Sequence, residues 1–206
     1  MKLKVCGMKY NENIQSIAGL EPNFLGFIFY DKSPRYFTGK IPEISDKIKK
    51  VGVFVDESIN TVISKVNEHD LVIIQLHGNE TALYCSTLKE KLNQVEIIKV
   101  FSIDTKFDFN KLQSYEAFVD YYLFDTKGKF PGGNGFIFDW TVLNTYPSKK
   151  PYFLSGGIGL EEVDNLNVFF KSEASNYCYA IDINSRFEIE PGLKNIEKIK
   201  EFKSQL

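Results

Sequence analysis

The chain has 206 residues, 43% of them hydrophobic and 25% charged, and its 25 Lys+Arg against 27 Asp+Glu leave a formal net charge of −2. That balance excludes a protein-wide field for nucleic acid or an anionic membrane, so the expected partner is a small molecule, with a local phosphate site still compatible. Three cysteines without CxxC spacing and two histidines give neither a disulfide framework nor a zinc site, and there is no signal segment or apolar run of about 18 residues, which together predict a protein of the reducing cytoplasm.

Leu3–Cys6 reads as a first strand, with Leu3 and Val5 alternating with Lys2 and Lys4, and it places Cys6 at the C-terminal lip before Gly7. A thiol there is either a reactive group at the site-bearing end of an α/β fold or a small buried hydrophobe. A helix over 11–19, with Asn11 as its cap, leads to a second strand over Phe24–Phe29. That strand runs into Asp31-Lys32-Ser33-Pro34-Arg35-Tyr36. Pro34 fixes one φ, and Arg35 is either a bidentate carboxylate holder or a solvated loop residue. A helix over 42–49 precedes the third strand, Lys50–Val55, and a helix over 57–68, capped by Asp56 or Ser58, precedes the fourth, Leu71–Leu76. The fourth strand ends in Gln75-Leu76-His77-Gly78, where His77 is a pocket donor or a polar lip residue.

A helix over 80–93, a fifth strand over Glu96–Phe101 and a helix over 108–116 follow, and then the aromatic strand Tyr121–Asp125. A carboxyl group pressed against apolar rings can remain a proton donor near neutrality, whereas an aspartate at a strand end is also a common turn residue. The stretch 127–135, with Gly132, Gly133 and Gly135, reads as a mobile or closely approaching loop over the mouth. After a helix over 139–145, the strand Tyr152–Ser155 runs into Gly156-Gly157-Ile158-Gly159. A helix over 160–171 and the strand Ala180–Ile183 follow, then Asn184-Ser185-Arg186 and a last helix over 191–204. The loops after the seventh and eighth strands are where barrel enzymes often bind phosphate through backbone N–H groups.

Eight strands, each followed by a helix with no break in composition, predict one domain over 1–206 with an α/β fold, a (β/α)8 TIM barrel. An open doubly wound sheet is the rival, but Cys6-Gly7-Met8-Lys9 is not the Gly-rich turn GxGxxG expected after its first strand.

The order of Lys4-Val5-Cys6-Gly7, Lys32-Ser33-Pro34-Arg35-Tyr36, Gln75-Leu76-His77-Gly78, Gly132-Gly133-Asn134-Gly135, Leu154-Ser155-Gly156-Gly157 and Glu190-Pro191-Gly192-Leu193-Lys194 resembles the phosphoribosylanthranilate isomerase family along essentially the whole chain. The resemblance implies a barrel isomerase of tryptophan biosynthesis, without cofactor or metal, monomeric or homodimeric, that performs an Amadori rearrangement. It implies Asp125 as general acid, Cys6 as thiolate base, and Arg35 as holder of the anthranilate carboxylate. His77 and Asp182 would bind and orient the substrate, and Gly156, Gly157, Asn184, Ser185 and Arg186 would hold its phosphate. Asn134 stands where the family usually has a small hydroxyl residue, and Arg186 where it usually has glycine, a place where positive φ would be costly. A pentose-phosphate epimerase or indole-glycerol-phosphate synthase would share the phosphate loops without explaining Cys6, Asp125 and Arg35 together. A non-catalytic sugar-phosphate sensor would be expected to lack Cys6 or Asp125.

Overall fold

In a computed structural model, which describes residues 1–126 and 139–206, eight parallel strands close on themselves in chain order. The order of elements is β1 (Lys2–Val5), α1 (Asn11–Ala18), β2 (Phe24–Ile28), β3 (Lys49–Phe54), α2 (Ile59–His69), β4 (Ile73–Leu76), α3 (Ala82–Lys91) and β5 (Glu96–Ile103). It continues with β6 (Tyr121–Thr126), β7 (Tyr152–Leu154), α4 (Val163–Phe169), β8 (Cys178–Ile183), the short hairpin β9 (Glu188–Glu190) and β10 (Leu193–Lys194), and α5 (Ile196–Ser204). The Gly-rich loop expected over 127–135, with Asn134, lies outside the described residues.

Successive strand residues point to opposite sides, and both sides of this sheet are covered. Phe24, Val51, Ile73, Ile98, Leu123, Phe153 and Ala180 fill the lumen. Leu3, Val5, Leu25, Phe27, Ile74, Leu76, Ile97 and Phe124 pack outward under the helical shell. On β1 the apolar residues therefore face the shell, and Lys4, fully buried, belongs to the lumen with Cys6.

All eight expected strands form, whereas several expected helices differ. No helix forms over 42–49; the stretch is irregular with one turn. Ile41, Ile44 and Ile48 have helical spacing, but they cover the barrel from irregular backbone, Ile41 and Ile48 buried and Ile44 partly so. The expected helices over 108–116 and 139–145 are 3-10 turns over Phe109–Tyr115 and Trp140–Thr145. The last helix starts only at Ile196, because Asn195 caps it by accepting from the Lys198 amide at 3.0 Å, and the residues before it form the hairpin. Asn11 is the first residue of α1 rather than its cap, and Ser58, not Asp56, caps α2 by accepting from Thr61 N at 3.1 Å.

The loop after β4 is braced from inside. Lys99 Nζ donates to Glu80 Oε2 at 2.9 Å and to the Gly78 carbonyl at 2.8 Å. The Glu80 carboxylate accepts from the amides of Asp56 and Gly78. Both side chains are nearly dry, at 3% and 1% exposure, so removing one charge strands the other in low dielectric. Among the described residues no helix is long and apolar enough to cross a membrane.

Lys99→Met is expected to lower unfolding free energy by about 3–5 kcal/mol, the usual cost of breaking a buried pair from one side. Urea unfolding measures it. A loss under about 1 kcal/mol would mean that the backbone amides satisfy Glu80 alone.

Candidate active site

The C-terminal ends of the strands surround a cavity of about 440 Å³, within the usual range for a small-ligand site. Every residue singled out from the sequence borders it: Cys6, Arg35, His77, Asp125, Gly156, Gly157, Asp182, Asn184, Ser185 and Arg186. They come from six different strand ends, which is why no local stretch of sequence contains the site.

Cys6 follows β1 and is 4% exposed. Gly26 on β2 makes room for it, since a Cβ there would stand 2.8 Å from the sulfur and 3.1 Å from Cys6 Cα. Two residues earlier on the same face, Lys4 Nζ donates to Asp182 Oδ1 at 2.8 Å, and the pair is 0% and 5% exposed. Burial alone would lower the Lys4 pKa; the Asp182 carboxylate and then Cys6 overcome it and leave the lysine raised and charged. Burial pushes the Cys6 thiol up, Lys4 pulls it down, Asp182 pushes it up again, and the net shift is upward from 9.0. Burial thus works against the thiolate that the base role requires, and Lys4 works for it.

Asp125 lies on β6, 8% exposed. Its Oδ1 accepts from Thr126 N at 2.9 Å, and its Oδ2 is 3.5 Å from His77 Nε2. His77 Nδ1 is 3.2 Å from the amide nitrogen of Gln75, so in that arrangement Nδ1 accepts and the ring proton sits on Nε2, toward the aspartate. The Phe124 ring, the sequence neighbour expected beside Asp125, does not face it. Phe124 points to the opposite side of the strand, among Phe109, Tyr146 and Tyr152, because neighbouring strand residues alternate.

Arg35 is not a bare fork at the mouth. Its Nε lies 2.8 and 3.0 Å from the Glu188 oxygens and its Nη2 lies 2.6 Å from Oε2. Glu188 also accepts from Lys194 Nζ at 2.7 Å and from Gly192 N at 3.0 Å. Burial opposes the Glu188 charge, but Arg35 and Lys194 prevail and hold its carboxyl below the ordinary value. Lys194 in turn is pulled down by burial to about 8, with Glu188 working against the shift. Its ammonium also donates to Asn184 Oδ1 at 2.7 Å, which ties the hairpin to the loop after β8.

In the two loops expected to take phosphate, Gly156 and Gly157 have φ of +95° and +71°. A Cβ on Gly156 would also overlap the Thr126 backbone and hydroxyl, so both conformation and space require glycine there. Arg186 sits in a 3-10 turn over Ser185–Phe187 and is not among the described residues with positive φ, so a side chain costs no strain. It pairs with Glu161 at 2.9 Å across the two loops, with 41% of its side chain exposed.

Lys4, Glu188 and Lys194 were given no role from sequence. Lys4 had a usable signal, a lysine sharing strand parity with the candidate nucleophilic thiol. Nothing local pairs Glu188 with Arg35, 153 residues away.

A sequence profile of N-(5′-phosphoribosyl)anthranilate (PRA) isomerase matches residues 3–205. The protein of that name from Parabacteroides distasonis is 42% identical over 212 residues, covering 100% of this chain and 93% of the relative. The phosphoribosyl anthranilate isomerase of Thermotoga maritima superposes with a TM-score of 0.81 at 27% identity, covering 100% of this chain and 98% of the other. Another such isomerase, crystallised with reduced 1-(o-carboxyphenylamino)-1-deoxyribulose 5-phosphate, superposes with a TM-score of 0.79 at 26% identity, covering 100% and 97%.

Gly26→Ala is expected to keep the barrel while displacing the thiol. The overpacking should cost about 1–3 kcal/mol in stability and lower kcat by roughly tenfold or more, since a misplacement of about 1 Å is enough for that. Thermal melts and steady-state kinetics on one preparation separate the two effects, and an unchanged kcat would show that the sulfur position is uncritical.

Proposed function

Because the chain belongs to the N-(5′-phosphoribosyl)anthranilate isomerase family, isomerases of tryptophan biosynthesis, we propose that its cavity carries out the Amadori rearrangement with Asp125 as general acid and Cys6 as general base. The observation that carries this reading is the convergence of Cys6, Asp125, Arg35 and the loops after β7 and β8 on one cavity.

The chemistry asks for two proton transfers at neighbouring atoms of a ribose. Asp125 gives a proton to the ring oxygen as the bond from C1 to that oxygen breaks, and the nitrogen lone pair forms the iminium. Cys6, as thiolate, takes the proton from C2. The electrons of that C–H bond form the enolamine, which tautomerises to 1-(2-carboxyphenylamino)-1-deoxyribulose 5-phosphate. Cys6 on β1 and Asp125 on β6 are separated around the barrel by β7 and β8, so a ligand lying across the mouth has the two groups on different sides.

The remaining roles follow from charge. Arg35 has N–H groups left after Glu188 takes its Nε edge, and these meet the anthranilate carboxylate. His77 holds Asp125 from behind, and Asp182, pinned by Lys4, orients the sugar. The phosphate lies against the backbone of Gly156, Gly157, Asn184 and Ser185, with Arg186 at its rim. A relative crystallised with a reduced form of the aminoketose supports a ligand of this chemistry. Three free thiols support action in the cytoplasm.

The chain is expected to restore growth of a tryptophan auxotroph that lacks this isomerase, and its Cys6→Ala form is not. In vitro, Cys6→Ala and Asp125→Asn should each lower kcat by about 10²–10⁴. Cys85→Ala in α3 and Cys178→Ala at the far end of β8 should keep activity. A Cys6→Ala enzyme with near-normal kcat would dismiss the base.

Since burial pushes the Cys6 thiol up from 9.0 and only the thiolate alkylates, the rate of Cys6 alkylation by iodoacetamide should climb as pH rises through neutrality into the alkaline range. A rate that is flat from neutral pH upward would contradict it. Arg35→Ala should raise KM more than it lowers kcat, because the carboxylate contact is the same in ground and transition states. An analogue without the carboxylate should barely sense that change.

A further inference from the structure

The scheme above needs a thiolate in a dry place, and the structure puts a cation beside it that the scheme leaves unused. Lys4 is fully buried and has the same strand parity as Cys6. Two residues along a strand span roughly 6.6 Å, well within reach of a lysine side chain. Its ammonium offers three donors; one goes to Asp182 at 2.8 Å, which leaves two inside a lumen where Cys6 stands on the same face of the strand, itself buried. A buried lysine that served only to pair with an aspartate could be exchanged, with its partner, for apolar residues at little or no loss. Here both side chains stand directly below the proposed base.

We propose that Lys4 is a positioning residue for the isomerisation: held in the lumen by Asp182, its ammonium donates to the Cys6 sulfur and stabilises the thiolate that takes the C2 proton. The assignment rests on Cys6 being the base. The charged groups facing the thiol are Lys4 on its own strand, Asp182 from β8 and Lys194 from β10. Arg35, His77 and Asp125 border the same cavity from the loops or strands after β2, β4 and in β6. Burial raises the thiol, Lys4 opposes that more than Lys194 does, and Asp182 works against both lysines. The two members of the pair therefore act on Cys6 with opposite signs.

The test is alkylation of Cys6 by iodoacetamide, followed by mass spectrometry of the Cys6 peptide over about pH 6 to 11, because only the thiolate reacts. It is run on the native chain and on Lys4→Met, Lys4→Arg and Asp182→Asn, with kcat/KM profiles alongside. Lys4→Met is expected to move the alkylation midpoint up by about one pH unit or more, a tenfold loss of thiolate at a given pH below it, with kcat/KM falling in proportion. Lys4→Arg should largely restore the native midpoint, and Asp182→Asn should move it down. A Lys4→Met enzyme that loses activity at an unchanged midpoint overturns the proposal, as do shifts of the same sign in Lys4→Met and Asp182→Asn. If circular dichroism shows Lys4→Met unfolded, Lys4→Gln replaces it and the sign in Asp182→Asn still decides. Failure of the underlying base assignment is read separately, from near-normal turnover in Cys6→Ala.

Discussion

A barrel closes only if its last strand finds its first, and here that seam runs through the buried pair of Lys4 and Asp182. The ladder pairs Lys2 with Ala180, Lys4 with Asp182 and Val5 with Ile183, and the Cys6 amide continues it onto the Ile183 carbonyl at 2.9 Å. A lone buried charge of either sign would be strongly unfavourable in this lumen, while the two together are tolerated. The pair thereby specifies one register of β1 against β8. That register sets the height of Cys6 above the apolar layer and aims Asp182 into the mouth, so architecture and site share one interaction.

A second charge cluster organises the rim beside that seam. Arg35 and Lys194 both bind Glu188, leaving two positive charges against one negative in a mostly buried group. An anion that enters beside Arg35 balances the cluster, whereas a neutral ligand does not. Because Glu188 and Lys194 belong to the hairpin and Arg35 to the loop after β2, the cluster also draws together parts of the chain that no strand pairing joins. Asn184, bound to Lys194, extends that linkage to the loop after β8.

How much of this was legible in the sequence depends on whether the information was local. Seven strands were legible because each is a short run at least half made of β-branched or aromatic residues, and β1 was legible from Leu3 and Val5 alternating with lysines. Their ends announced the site because Cys6, Arg35, His77, Asp125, the Gly156-Gly157 turn and Asn184-Ser185-Arg186 are polar or turn residues that a packed core does not require. The stretch 42–49 misled because isoleucines at helical spacing can cover a barrel equally well from irregular backbone. Phe124 misled because sequence neighbours on a strand are spatial opposites. Lys4 was passed over because alternation of lysine with apolar residues looks like one wet face and one dry face, while a barrel has two dry faces. Glu188 and Lys194 gain meaning only from partners distant in sequence.

The seam between β1 and β8 has a kinetic meaning as well. Lys4 and Asp182 are 178 residues apart, so their contact is among the most non-local in the molecule and carries a large loop-closure entropy before it gives anything back. Partly assembled barrels that hold β1 and its neighbours without β8 present an unpaired strand edge with a charged lysine on its inner face. Such a charge discourages edge-to-edge association of incomplete molecules, so the residue that closes the finished barrel also guards the unfinished one.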